Sequence, residues 1–128
     1  MIDYNEFLTC AEAFYTASCP YNDDTDNIVV RNCISRAFYY VFHHIRERFR
    51  KHPKANFDKF PNQEQRKAIV DFFNDIHESK LASRFLNLNR KRNIADYDID
   101  KEVIKSDAEV YLKEVRTFVE RTNRISPI

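Results

Sequence analysis

The chain has 128 residues, of which 43% are hydrophobic and 32% charged, and its formal net charge is +1. These values predict one globular domain over residues 1–128 rather than a disordered chain, and the small net charge excludes a protein that is basic overall. The sequence contains no glycine, which excludes glycine-rich phosphate loops, dinucleotide-binding fingerprints and nucleophile elbows. Helices joined by short polar links are the economical alternative, so we expect an all-α protein.

Three cysteines, Cys10, Cys19 and Cys33, are present in an odd number and without CxxC spacing. We interpret them as reduced thiols in a cytoplasmic protein. No Cys or His pair at metal-ligand spacing has a second pair to match it, so the sequence predicts neither a metal site nor a cofactor. No apolar run is long enough to cross a membrane, and the N-terminus lacks the pattern of a signal peptide.

The first predicted helix begins at a capping-box pattern, Asp3 followed by Glu6, and runs to about Ser18. A polar run over residues 22–27 predicts a loop after it. Asp26, near the end of this run, is the predicted N-cap of the second helix, because a short acidic side chain accepts hydrogen bonds from the first free backbone N–H groups.

The second predicted helix, Ile28–Lys51, has no glycine or proline. Its apolar residues recur at steps of three and four and form one narrow stripe: Ile34, Phe38, Val41, Ile45 and Phe49. The opposite side carries four polar or aromatic residues: Arg36, Tyr40, His43 and Glu47. Two interpretations stay open, namely a core helix with a solvated face and a helix whose second face is a working surface.

Basic residues gather at the end of this helix: Arg46, Arg48, Arg50, Lys51 and, beyond it, Lys54. Cations at a helix C-terminus complement its dipole, which explains the cluster without any ligand. A phosphate-facing patch is the alternative interpretation.

Three more helices are predicted from the same periodicity. The third covers about Asn62 to Glu78, the fourth starts near Lys80, and the fifth covers about Lys101 to Thr122. Acidic residues crowd the start of the fifth helix, as its dipole favours: Asp98, Asp100 and Glu102. Five amphipathic helices with short links predict an antiparallel bundle.

The segment over residues 87–98 carries a charge on an apolar helix face. If the fourth helix continues through it, Arg92 faces the core, where a charge is costly unless it is paired. Asp96, four residues on, is within reach. We expect an ion pair where the fourth helix meets the second, completed by Arg36 and Tyr40, with Asp96 pairing with Arg92 or with Arg36. Such a pair is either a polar latch or an arginine aimed at a phosphate.

Two segments resemble a known family: SRAFYYVFH at Ser35–His43 and RNIADY at Arg92–Tyr97. They are similar to the HEPN superfamily of small helical bundles, in particular to the branch with a Ser-Arg-Ala-Tyr-Tyr-like second helix and an Arg-x-x-Ala-Asp-Tyr signature. The resemblance implies an up-and-down bundle. Many members of the superfamily are ribonucleases that act as toxins or phage-defence effectors. Many form dimers and are encoded beside a minimal nucleotidyltransferase, so the resemblance also implies a homodimer, a nucleotidyltransferase-type partner and RNA.

The catalytic signature of that superfamily is an arginine, often a polar residue next, and a histidine four to six residues after the arginine. Arg92 and Asn93 match its start, but Tyr97 stands five residues after Arg92 and no histidine follows in the chain. Histidine transfers protons near neutral pH, whereas tyrosine, with a reference pKa of about 10, does so poorly. His43, and less favourably His44, is the histidine of the second helix that could replace it.

Three hypotheses follow. The first is a non-catalytic or degenerate HEPN-like module of a toxin–antitoxin or phage-defence system, which binds a partner protein, RNA or a nucleotide through the groove between the second and fourth helices. Its binding residues are Arg36, Tyr40, Asn93 and Asp96. The second is a metal-independent ribonuclease that uses Arg92 with His43 or Tyr97, and the third is a plain helical interaction protein.

The 11 Phe and 7 Tyr residues also predict a homodimer that buries some of them.

Overall fold

The computed structural model describes residues 5–17 and 24–128. This part of the chain contains helices, one short 3-10 turn and no strand, which confirms the all-α fold class. Its α-helices are α1 Asn5–Ala17, α2 Asp24–Arg48, α3 Asn62–Asp75, α4 Ser79–Tyr97 and α5 Lys105–Thr122, and the 3-10 turn is Phe57–Lys59.

The central helix of the bundle is α2, which packs against α1, α4 and α5. Because neighbours surround it, only Arg36 and Glu47 are exposed between residues 30 and 49. Tyr40 is buried and His43 is half-buried. A solvated face over all four residues, one of the two interpretations, was therefore wrong, since a helix in the middle of a bundle is covered on most of its circumference.

A chain of phenylalanine rings from four helices forms the core. Phe38 of α2 lies 5.7 Å from Phe85 of α4, between ring centroids. Phe85 lies 6.3 Å from Phe118 of α5, and Phe118 lies 5.9 Å from Phe73 of α3. Burial of each such side chain stabilises the fold by roughly 1.5–3 kcal/mol. These rings fix the positions of α2 and α4 relative to each other.

Most of the described aromatic side chains are buried or half-buried inside the bundle. Among the side chains whose exposure the structure describes, Phe60 and Tyr97 are the exposed aromatic ones. The aromatic surplus that predicted a homodimer is therefore not present on the described surface, and the homodimer stays a prediction without that support.

Both predicted ends of α1 lie outside the described residues, whereas both predicted ends of α2 were wrong. The capping box predicted over residues 3–6 begins outside the described residues. Asp26 lies inside α2, which begins at Asp24, so it is not the N-cap. At its other end α2 stops at Arg48 rather than Lys51.

The end of α3 shows how a chain without glycine closes a helix. The helix ends at Asp75, not at Glu78 as predicted. His77 adopts a left-handed conformation with φ 63°. The backbone N–H of Glu78 donates to the carbonyl of Phe73 at 2.7 Å, and that of His77 donates to Asn74 at 3.1 Å. This is the hydrogen-bond pattern of a Schellman motif, in which glycine usually occupies the left-handed position.

The start of α5 was predicted four residues too early, at Lys101 instead of Lys105. The acidic residues expected to complement its dipole all precede the helix: Asp98, Asp100 and Glu102. The carboxylate that performs this task is Asp107, whose Oδ2 accepts a hydrogen bond from the backbone N–H of Ile104 at 2.9 Å. Charge alone did not locate the helix start, because the cap depends on the position of one carboxylate.

Arg31 of α2 closes the C-terminal end of α4. Its Nη1 atom donates to three carbonyl oxygens at 3.1 Å each, those of Ile94, Ala95 and Asp98, and its Nη2 atom contacts the carbonyl of Lys101. The last carbonyls of a helix have no partner within the helix, so one guanidinium satisfies several of them. Arg31 thereby holds the end of α4 and the segment that follows it.

The basic residues at the end of α2 have a similar role. Arg48 donates to the carbonyls that end α5: Thr122 at 3.0 Å, Asn123 at 2.9 Å and Ile125 at 2.6 Å. Lys54 donates to the carbonyl of Asp75 at 3.2 Å, at the end of α3. Two members of the cluster thus complement the C-terminal ends of other helices, rather than that of α2 or a phosphate.

Candidate functional site

The side chain of Arg92 is buried, with 3% of the residue exposed. Its Nε atom lies 2.7 Å from Oδ2 of Asp96, which confirms the predicted pair and shows that Asp96 pairs with Arg92 rather than with Arg36. The Nε–H bond is not aligned with that oxygen, so the contact is an ion pair rather than a hydrogen bond. The hydroxyl of Ser35 donates to the same oxygen at 3.3 Å. Asp96 thus joins α2 to α4.

The two terminal nitrogens of Arg92 also have partners within the chain. Nη2 donates to the hydroxyl of Tyr39 at 2.9 Å, and Nη1 donates to Oδ1 of Asn93 at 3.3 Å. Together with the carboxylate of Asp96, these contacts occupy all three nitrogens of the guanidinium. A buried arginine needs such partners, because an unpaired charge in the core is strongly destabilising.

The expected partners from α2 were wrong by one position. Arg36 is exposed, and Tyr40 is buried and stacks on His44, with 5.9 Å between ring centroids. Ser35 and Tyr39 contact the pair instead. Residues four apart share a helix face, whereas the next residue is rotated by about 100°. Ser35 and Tyr39 both lie inside the segment quoted for the resemblance. They can be identified as partners of the pair only when the rotation of α2 about its axis relative to α4 is known.

Three aromatic rings surround the guanidinium of Arg92. Its Cζ atom lies 5.3 Å from the ring centroid of Tyr39, 5.4 Å from that of Tyr97 and 5.6 Å from that of Phe38. Cation–π contacts of this kind contribute roughly 0.5–2 kcal/mol each, with the larger values where water is excluded. The rings fill the space between α2 and α4, so the predicted groove is closed at Arg92.

We call this group of side chains the Arg92 cluster: Arg92, Asp96, Ser35, Phe38, Tyr39, Asn93 and Tyr97. Most of it is buried or half-buried, but Tyr97 is 70% exposed. Asn93 is exposed as well. The cluster therefore has a buried interior, made by the ion pair and two rings, and an outer layer that faces solvent.

His43, the predicted proton-transfer residue, stacks on α1. Its ring lies parallel to that of Phe7, with centroids 5.4 Å apart and an angle of 8°. Phe7 also contacts the ring of Tyr39 at 5.9 Å, so α1 covers this side of α2. Burial lowers the pKa of His43 and the nearby charge of Arg46 lowers it further. His43 is therefore packed against Phe7 in surroundings that disfavour its charged form.

His44 lies on another side of α2 and belongs to a different contact. Its Nε2 atom is 3.0 Å from Oδ1 of Asn123, just beyond α5. Burial lowers the pKa of His44, the hydrogen bond with Asn123 raises it, and the charge of Arg48 lowers it. This histidine connects α2 to the end of α5 and is not part of the Arg92 cluster.

The exposed side of α4 forms a second feature next to the cluster. Four residues at spacings of four, three and four form this stripe, which we call the α4 stripe: Leu86, Arg90, Asn93 and Tyr97. The whole helix carries five basic residues and one acidic residue, Asp96. Lys91 is paired with Glu114 at 2.8 Å, and Arg92 is paired with Asp96. Arg90 belongs to the α4 stripe and is exposed to solvent.

A half-open cavity of about 280 Å³ lies beside α4, between α2, α4 and α5. Its lining includes the buried residues Ile34, Val103 and Tyr111. The hydroxyl of Tyr111 donates to the carbonyl of Leu88 at 3.0 Å, so its polar atom is satisfied within the fold. The sequence did not indicate this cavity, because it depends on the path of the segment that joins α4 to α5.

Neither a membrane-spanning helix nor a metal site is found in the part of the chain that the structure describes. None of its helices combines the length and apolar character needed to cross a bilayer. Among the same residues, no three His, Cys, Asp or Glu side chains come together as possible metal ligands. Neither Cys10 nor Cys33 forms a disulfide with another described residue, and Cys19 lies outside the described residues.

We compared the chain with protein-family models, with curated proteins and with solved structures, and no match was found in any of the three comparisons.

Proposed function

We propose that this chain is a non-catalytic HEPN-like module that binds RNA on the surface formed by α2 and α4, within a toxin–antitoxin or phage-defence system. The observation that supports a non-catalytic role is the occupancy of Arg92. Its three nitrogens contact Asp96, Asn93 and Tyr39, and 3% of the residue is exposed. An arginine that stabilises a reacting phosphate has to present its donors to the substrate.

RNA is the partner that the charge and the residue types of this surface favour. Arg90 and Arg36 are exposed on the two neighbouring helices, and α4 has an excess of basic residues in a chain that is nearly neutral overall. Tyr97 adds an exposed aromatic ring. Basic side chains that contact phosphates, combined with aromatic rings that stack on bases, are typical of proteins that bind single-stranded RNA.

The alternative of an active ribonuclease requires a proton-transfer group beside an accessible arginine. His43 stacks on Phe7, and the guanidinium of Arg92 is enclosed by rings. Tyr97 does contact that guanidinium. An experiment on the ribonuclease alternative should therefore test a reaction that uses Arg92 with Tyr97.

The test measures cleavage and binding in the same preparation. Total RNA and transfer RNA are incubated with the protein and with Arg92→Ala, and binding of a labelled oligonucleotide is followed by fluorescence anisotropy. We expect no cleavage, and we expect binding that weakens in Arg36→Ala/Arg90→Ala, with a smaller dependence on salt concentration. The control is Arg121→Ala/Arg124→Ala, which removes the same charge from exposed positions near the end of α5.

Two results would contradict the proposal. Cleavage that is lost in a folded Arg92→Ala protein would establish a ribonuclease. Absence of RNA binding by the folded wild-type protein would leave the plain helical interaction protein.

We further propose a cytoplasmic homodimer with a nucleotidyltransferase-type partner. The odd number of cysteines and the absence of CxxC spacing support a reducing compartment. Exposed apolar side chains support a protein contact: Ile99 is 84% exposed, Val110 49% and Ile104 48%. The nucleotidyltransferase is supported by the sequence resemblance alone. Sedimentation velocity at micromolar concentration tests the dimer, and a monomer would contradict it.

A further inference from the structure

Tyr97 is an exposed ring that the rest of the Arg92 cluster holds in place. It is the last residue of α4 and is 70% exposed. The guanidinium of Arg92 lies against its ring, with 5.4 Å between Cζ and the ring centroid. Arg31 binds the carbonyls around it, those of Ile94, Ala95 and Asp98. Both the ring and the backbone that carries it are thus fixed, although most of the side chain faces solvent.

We propose that Tyr97 is the stacking platform for a nucleobase of single-stranded RNA. This inference rests on the RNA binding proposed above and assigns a role to one residue within it. Asn93 and Arg90 lie on the same α4 stripe, one and two turns before Tyr97. A base stacked on Tyr97 therefore has an amide beside it for its polar edge and a guanidinium farther along for the backbone phosphates.

The buried ion pair has a function in this arrangement. An isolated tyrosine at a helix end samples several rotamers, and fixing it during binding opposes association. Here Arg92 is held by Asp96 and Tyr39, and its guanidinium lies within cation–π distance of the ring of Tyr97. This contact favours one position of the ring before RNA arrives. An apolar residue in place of Arg92 would fill the core but would not provide this cation–π contact.

The first experiment separates stacking from charge. Fluorescence anisotropy of a labelled single-stranded oligoribonucleotide is measured for the wild type, Tyr97→Ala, Tyr97→Phe and the control Phe60→Ala, which removes the other exposed aromatic side chain of the described residues. We expect Tyr97→Ala to weaken binding by roughly 5- to 150-fold, the range for one stacked base. Tyr97→Phe and Phe60→Ala should stay within about twofold of the wild type. The salt dependence should not change in Tyr97→Ala, because no phosphate contact is lost.

A second experiment observes the base itself. An oligonucleotide with 2-aminopurine at one position loses fluorescence when that base stacks, so we expect quenching with the wild type and Tyr97→Phe and none beyond background with Tyr97→Ala. An abasic oligonucleotide of the same length should bind to the wild type and Tyr97→Ala equally. Circular dichroism confirms that each variant is folded.

The outcomes distinguish this inference from the proposed function. If RNA binds and Arg36→Ala/Arg90→Ala weakens it while Tyr97→Ala does not, the stacking platform is wrong and RNA binding stands. If the folded wild type binds no RNA, both are wrong. If Tyr97→Ala converts a dimer to a monomer in sedimentation velocity and leaves the quenching unchanged, Tyr97 belongs to a protein interface and the inference is overturned.

Discussion

Replacing Arg92 by alanine should destabilise the fold by about 3 kcal/mol. Removal of one partner of a buried ion pair costs roughly 3–5 kcal/mol, because the other charge loses its partner. The lower end applies here, since the side chain of Asp96 is 20% exposed and keeps the hydroxyl of Ser35 as a donor. The variant also loses a hydrogen bond to Tyr39 and contacts with three rings. Because of these additional losses, we do not expect the destabilisation to fall below this value.

The assay is urea unfolding followed by circular dichroism at the helix band, with the free energy of unfolding taken from the midpoint and slope. The matched control is Arg90→Ala, in the same helix but exposed, which should change the stability by less than about 0.5 kcal/mol. In a thermal melt, Arg92→Ala should lower the midpoint by roughly 10 °C.

A double-mutant cycle with Asp96→Ala isolates the ion pair. We expect a coupling free energy of roughly 1–3 kcal/mol between the two residues, as for other contacting pairs in one network. A loss of less than about 1 kcal/mol for Arg92→Ala, together with no coupling to Asp96, would refute the reasoning. Arg92 would then contribute little to the fold.

Three further predictions concern other contacts. Arg31→Ala should lower the stability by about 2 kcal/mol, because several carbonyls lose a charged donor, and it should speed amide hydrogen exchange over residues 98–104. His77→Gly should raise the midpoint of urea unfolding by an amount that corresponds to about 1 kcal/mol, because it relieves the left-handed φ of 63°. Burial lowers the pKa of His43 and His44 below 6.5, so the unfolded chain binds more protons. Stability should therefore fall as the pH is lowered below about 6.5 towards 5, and His43→Gln/His44→Gln should reduce that fall.

The helices could be predicted from the sequence because apolar periodicity over long segments reflects which residues pack. The same periodicity does not locate helix ends. The start of α5 depends on one hydrogen bond from Ile104 to Asp107, and the end of α3 depends on a left-handed histidine. Neither signal is a pattern of residue types that repeats along the chain.

The candidate site divides in a similar way. The Arg92–Asp96 pair follows from spacing within one helix, so the sequence predicted it. Its partners on α2 depend on the rotation of α2 about its own axis relative to α4. An error of one residue in this rotation predicts Tyr40 as the partner instead of Tyr39. The burial of Arg92 under three rings depends on contacts between helices, which is why a predicted groove became a packed cluster.

In the family that the sequence resembles, a histidine follows the arginine, whereas no histidine follows Arg92 here. This difference and the closed environment of Arg92 both favour binding over catalysis. A proton-transfer residue is useful only beside an arginine that can reach a phosphate, and the three nitrogens of Arg92 contact Asp96, Asn93 and Tyr39 instead. At the signature position a tyrosine offers a larger apolar ring for stacking than a histidine does. A cluster that fixes such a ring at the surface suits the binding of a base better than the cleavage of a phosphodiester. We therefore favour binding over catalysis from the directions in which these side chains point.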